Sequence, residues 1–351
     1  MTMTVEPVRQ EVAPESVAAR RLVDKMFKAR ELAVVAVLVL MLGATQLSNG
    51  EFLSQQGIKD LMLNATILVL VAVGQAMVVI TRNVDLSVGS VLGISAFAAG
   101  LYLQDGGHPL LAVLLAVGLG ALFGVLNGAL VSLGKVPALV VTLGTLYIIR
   151  GIDSIWVGSR QITASDLPDA FVDFGHDGIS VVPYLALLSL AVLVVVAYFL
   201  RGYRSGRDMY ALGSNPEAAR LAGVPVRTRI MTAYVVCGAL AGLAGALYLA
   251  RFGNVDSNTG NGYELIVVSA VVVGGVAFTG GSGSVYGAAL GALLLTSINS
   301  VLPALGVSSV WVTAINGFLL LLAIAVDRIL ALRVAGALRK KAAQTRSARH
   351  A

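Results

Sequence analysis

The chain has 351 residues, 57% hydrophobic and 13% charged, with a formal net charge of +6. Soluble domains carry about 25% charged residues, so this composition excludes a soluble globular protein and indicates an integral membrane one. The single cysteine, Cys237, excludes an intrachain disulfide and any cysteine-based metal or redox motif.

Residues 1–30 are polar and charged and predict a tail ahead of the first span. The apolar run that follows lacks the short h-region and small-residue cleavage pattern of a signal peptide, so it reads as a retained span. A hydrocarbon core about 30 Å thick requires about 20 apolar residues per helix. By that measure spans fall at 31–47, 61–80, 86–104, 109–134, 136–157, 179–200, 229–250, 265–280, 284–302 and 310–330, followed by a basic tail over 331–351. The eighth ends in GGVAFTGGSG and predicts a broken or re-entrant element, tolerated only where protein or a water-filled cavity covers the backbone.

Ten spans place both termini on one side. All but four of the 25 lysines and arginines (Lys59, Arg150, Arg160 and Arg251) then fall on the side of the termini and of the 201–229 loop. By the positive-inside rule that side is the cytoplasm, and the expected setting is a bacterial plasma membrane. The basic charge is thereby a topology signal, and nucleic-acid binding drops out. The largest outer loop, about 158–178, carries Asp166, Asp169, Asp173 and Asp177. It is either an ordinary solvated loop or a contact for an external partner.

Within the spans, Gly120, Gly124 and Gly128, then Gly238 with Gly242 and Gly287 with Gly291, form small-residue stripes that let helix backbones approach closely. They predict packing within the bundle, with a subunit interface as the alternative. The pentapeptide 89–93 recurs in similar form at 283–287, but both copies open a span on the same side, which is not the mark of an inverted repeat. Neutral polar residues lie at membrane depth at Asn64, Gln75, Asn127, Thr142, Thr145, Asn299 and Asn316. Each needs a partner helix or a wet cavity. Singly they read as interhelical glue; as a set they suit a translocation path for a polar, uncharged solute.

Asp85, Asp153, Asp256, Glu264 and Asp327 fall at or near span ends, leaving Arg150 as the deep charge. Arg150 reads as snorkelling outward or pairing with Asp153, with a role in the path as the alternative. A buried acid–base pair near the midplane, as an ion-coupled carrier uses, is not legible. Gly134-Lys135 is followed by Val136, and Ala129 replaces the first glycine of a phosphate-binding loop, so this chain cradles no nucleotide. His108, His176 and His350 are scattered. The expectation is a transport protein that performs no chemistry and binds no cofactor. An ion-gradient-driven sugar carrier is the alternative.

The 201–229 segment, RGYRSGRDMYALGSNPEAARLAGVPVRTR, is a basic, polar island between apolar runs. Asn215 suits an N-cap, Pro216 the first helical position and Glu217 the positive end of the helix dipole. Gly223 suits the left-handed C′ position, with Pro225 after it. The predicted helix, 216–222, is two turns long, too short to stand alone, and calls for something to pack on it.

Four blocks carry a family resemblance: NVDLSVGSVLG (83–93), LNGALVSLGKVPALVVTLGTL (126–146), GRDMYALGSNPEAARLAGVPV (206–226) and GYELIVVSAVVVGGVAFTGGSGSVYG (262–287). Over most of 31–330 the chain resembles the sugar-type permeases of bacterial ABC importers, the group with the ribose, xylose, rhamnose and autoinducer-2 permeases. The resemblance implies an all-α polytopic fold of about ten transmembrane helices. It implies that Gly213, Asn215, Glu217, Ala218, Ala219, Arg220 and Gly223 couple to a separate ATPase subunit, which uses the ATP. It further implies a second permease, identical or paralogous, and an extracytoplasmic solute-binding protein. Ile266 and Val267 stand where the group usually has an acid and a small residue, which leans towards the rhamnose or autoinducer-2 branches.

Overall fold

The computed structural model describes residues 14–308, 311, 312, 314–322, 324, 325 and 329. The extreme N-terminus, Asp327 and the 331–351 tail lie outside them. Helix α1 (Pro14–Ser48) begins well before the predicted first span, so much of the predicted tail is helical. Then come α2 (Gln55–Ile80), α3 (Val88–Gln104), α4 (Pro109–Ser132) and α5 (Ala138–Val157). A folded cap over residues 158–183 separates these from α7 (Tyr184–Gly202). After the island come α10 (Val226–Phe252), α11 (Tyr263–Val273) and α12 (Val285–Ala304), and the described residues beyond 310 are helical. Seven of the described helices are long and apolar enough to cross a membrane.

Helix α2 is the axis of the bundle. It is apolar on all sides, and every residue from Ala65 to Ile80 is buried, as expected of a helix enclosed by others. It packs against α7, α10, α11 and α12, while α10 also crosses α3 and α4. The α4–α10 crossing is where the predicted glycine stripes meet: Gly120 and Gly124 face Gly238 and Gly242 at backbone distance. Nothing larger than hydrogen fits there, which is how helices associate without a hydrophobic drive.

The acidic loop over 158–178 is folded. Thr163 donates its N–H and hydroxyl to the Asp166 carboxylate (2.8 and 2.7 Å), which holds that acid below the usual carboxylate range. Helix α6 (Asp169–His176) then lays Gly175 on the Ala250 carbonyl at the end of α10. A short hairpin, β1 (Gly178–Ile179) with β2 (Val182–Pro183), leads into α7.

The predicted eighth span is broken. Helix α11 has 11 residues, about 16 Å at 1.5 Å per residue, or half the hydrocarbon thickness. Residues 253–262 before it fold inward on α3, where Gly260 meets Gly89 backbone to backbone. Residues 274–284 after it fold against the end of α2, with the Gly281 N–H on the Ile80 carbonyl (2.9 Å). Protein therefore covers the non-helical backbone. At the start of α12, Ser284 caps Gly287 and donates to Glu31 Oε1 from α1 (2.8 Å), placing a carboxylate at the positive end of that helix. Glu31→Ala should lower stability by about 1 kcal/mol, read as an earlier unfolding midpoint in detergent. An unchanged midpoint would dismiss the contact.

Candidate coupling segment and polar core

The island forms two helices where one was predicted. Helix α8 (Arg204–Ser214) precedes α9 (Pro216–Leu221), and Asn215 serves both as the C-cap of the first and the N-cap of the second. Its Oδ1 accepts the Ala218 N–H (3.1 Å). Gly223 ends the second helix at φ +78°, and the Val224 N–H returns to the Ala219 carbonyl (3.0 Å). These are the start and stop predicted from Asn-Pro-Glu and Gly.

Helix α8 went unseen because its larger apolar residues are confined to 209–212 and its buried face also uses Gly206, Asp208 and Gly213, which depend on what that face meets. Its burial is tertiary. Asp208 accepts two hydrogen bonds from Arg229 at the start of α10, Nε at 3.1 Å and Nη2 at 2.9 Å. The Tyr210 hydroxyl donates to the Gly283 carbonyl (3.2 Å). Gly213 lies against the Ile80 carbonyl and Gly281 with no room for a Cβ. Helix α8 is thus tied to α2, to α10 and to the turn before α12.

This divides the predicted coupling residues. Gly213 and Ala219 are buried and position the segment. Glu217, Ala218, Arg220 and Gly223 are exposed, and Leu221 beside them is 84% exposed. Glu217 and Arg220 form an ion pair at 2.9 Å that is open to solvent and adds little stability. The second helix is therefore an uncovered apolar tip on an anchored base.

The predicted path residues also divide. Three converge on the non-helical segment between α2 and α3, in which Asp85 and Ser87 are buried. With its amide oriented to satisfy both atoms, Gln75 donates to the Asp85 carbonyl (3.1 Å) and accepts the Asp85 N–H (3.2 Å). Asn127 Nδ2 donates to Ser87 Oγ (2.8 Å), which in turn donates to Asp85 Oδ1 (2.6 Å). The Thr142 and Tyr234 hydroxyls both donate to the Val84 carbonyl (3.3 and 3.1 Å). Thr145 turns back to the Thr142 carbonyl (3.3 Å). Asn316 donates to Asn299 Oδ1 (3.1 Å) in a separate pair, and Asn64 stands apart, half-buried on α2.

The Arg150–Asp153 pairing that the sequence left open is present in α5. Arg150 and Asp153 are 3.9 Å apart, with side chains 18% and 0% exposed. Of the readings open to Arg150, the structure shows the pairing with Asp153 rather than snorkelling. The arginine also donates to the Thr259 carbonyl (2.7 Å). Among the described residues no group of three or more His, Cys, Asp or Glu side chains could hold a metal.

A family described as the permease component of the branched-chain amino acid transport system matches residues 57–324. The chain belongs to that permease family. The permease is 36% identical over 302 residues to the autoinducer 2 import system permease protein LsrC of Enterobacter sp. (strain 638), covering 86% of this chain and 88% of that one. The LsrC protein of Escherichia coli (strain K12 / DH10B) is 35% identical over 298 residues, 85% and 86% of the two chains. That of Klebsiella pneumoniae is 36% identical over 302 residues, 86% and 87%. No solved structure matches the chain. The permease is thus an all-α, multi-pass membrane subunit of a sugar-type ABC importer.

Proposed function

We propose that the permease passes a small, uncharged polyol such as autoinducer-2 or a monosaccharide into the cytoplasm, driven by ATP hydrolysis on a separate subunit. The observation that carries this reading is α9: an exposed two-turn tip, Leu221 foremost, on the anchored base of α8. A rigid tip of this kind can convert closure of an ATPase dimer into rigid-body motion of the spans. The relatives' names support the solute class, and the neutral polar residues suit it. Asn64, Asn299 and Asn316 are the candidates for direct contact with solute. Gln75, Asn127 and Thr142 act as supports for the wall they brace. A second permease, identical or paralogous, and an extracytoplasmic binding protein complete the assembly in the bilayer, with both termini cytoplasmic. The Arg150–Asp153 pair is the one observation favouring an ion-gradient-driven carrier instead.

Proteoliposomes holding the permease, its ATPase and its binding protein separate the two. Uptake should require ATP and survive an ionophore; uptake without ATP that collapses with the ionophore overturns the reading. Glu217→Arg or Gly223→Val should leave the permease inserted while reducing ATPase co-purification and uptake at least tenfold, the cost of about 1.4 kcal/mol at the interface. Normal co-purification and uptake in both variants would remove α9 from the docking surface.

A further inference from the structure

Asp153 is fully buried, yet neither carboxylate oxygen has a hydrogen-bond partner among the described residues. Orphaned buried charge is costly and rare, so it asks for a reason. The nearest cation is Arg150, one turn earlier on the same helix, at 3.9 Å. That is an ion-pair distance but too long for a hydrogen bond, which needs an approach about 1 Å closer. Arg150 is instead spent on the Thr259 carbonyl, a neutral acceptor weaker than the carboxylate beside it.

Thr259 belongs to the 253–262 segment, which folds inward and lies directly on α3. Its carbonyl sits against Gly93, and Gly260 sits against Gly89. Gly253, Gly260 and Gly262 all hold positive φ, so left-handed glycines stand at both ends of the segment and next to the contact. Glu264, just after the segment, also buries an oxygen without a partner.

We propose that Arg150 is a two-position latch: on Thr259 it pins the 256–262 part of the segment to α3, and on Asp153 it sets that part free, while the Ile162–Val255 bridge keeps the start of the segment in place. The carboxylate accepts no hydrogen bond here because it is the acceptor for the released position. Release uncovers the backbone of α3 around Gly89 and Gly93, opening this face of the bundle for passage. The latch goes beyond the choice of energy source and holds for an ATP-driven or an ion-driven transporter.

Hydrogen exchange of the 256–262 amides, with the full-length chain in lipid nanodiscs, tests the latch without solute or ATP. Arg150→Gln should speed their exchange about tenfold or more, the effect of removing one hydrogen bond from a charged donor. Asp153→Asn should slow it severalfold, because a neutral amide is a poorer partner for the released guanidinium. That sign decides: if Asp153 merely steadies Arg150 in its present position, Asp153→Asn speeds exchange and the latch is wrong. Unchanged exchange in both variants also overturns it. Protection along α10 reports whether each variant is folded. If Asp153→Asn fails that control, Asp153→Glu, which keeps an acceptor for release, must leave the segment exchanging at or above the wild-type rate, and slower exchange refutes the proposal.

Discussion

Gly238→Val is expected to stop α10 from seating on α4 and to destabilise the permease by about 3 kcal/mol or more. A Cβ at Gly238 overlaps the Gly120 carbonyl oxygen and lies 2.9 Å from the Gly124 nitrogen. These are backbone atoms inside two long helices, so no side chain can swing aside. Relief requires the helices to separate, which forfeits dispersion contacts along the whole crossing, and lipid supplies no hydrophobic force to restore them. The same clash meets Gly120 and Gly242 from either side. Gly118 is the control, since nothing lies within 4 Å of its Cβ position. Gly118→Ala should be neutral or gain up to about 1 kcal/mol from helix propensity. Yield of monodisperse protein and the unfolding midpoint in detergent read both. A wild-type midpoint for Gly238→Val would refute the close crossing.

The second large effect is expected at Asp208 and Arg229. Either single change to alanine strands a mostly buried charge and should cost about 2–4 kcal/mol. The Arg229 guanidinium is 18% exposed and Asp208 11%, so screening by solvent reduces the value only in part. Removing both residues should cost less than the two single losses combined, since no charge then remains unpaired. A double-mutant cycle on unfolding midpoints measures that coupling. Additive losses would mean that the two side chains do not act as a pair. Because the pair ties α8 to α10, the single variants should also weaken ATPase co-purification, although neither residue is at the exposed tip.

Much of the permease was legible in order along the chain. Apolar length marked most of the spans, because each needs its own run of about 20 residues to cross lipid. Asn215, Pro216, Glu217 and Gly223 marked the second island helix, because capping is a local affair of a few bonds. Helix α8 was missed for the opposite reason: Asp208, Tyr210 and Gly213 find their partners at Arg229, Gly283 and Ile80, and spacing carries no sign of those meetings. The eighth span was read as a single stretch of 265–280 that breaks or re-enters. Its glycines signalled the break, but only the fold showed that the helix stops at Val273 and that covered backbone flanks it on both sides.

The polar residues draw the line between the two kinds of information. Composition by itself determined a membrane protein, and four local sequence blocks carried the resemblance to a family of permeases, because burial in lipid and short motifs each act on one segment at a time. Which amide meets which carbonyl was decided by tertiary structure alone. Gln75, Asn127 and Thr142 come from three helices and converge on residues 84–87, and the deep Arg150 lies between Asp153 and Thr259. In hydrocarbon every polar group must find a partner, so the sequence can state that each is satisfied or functional. Only the packing of the helices determines which.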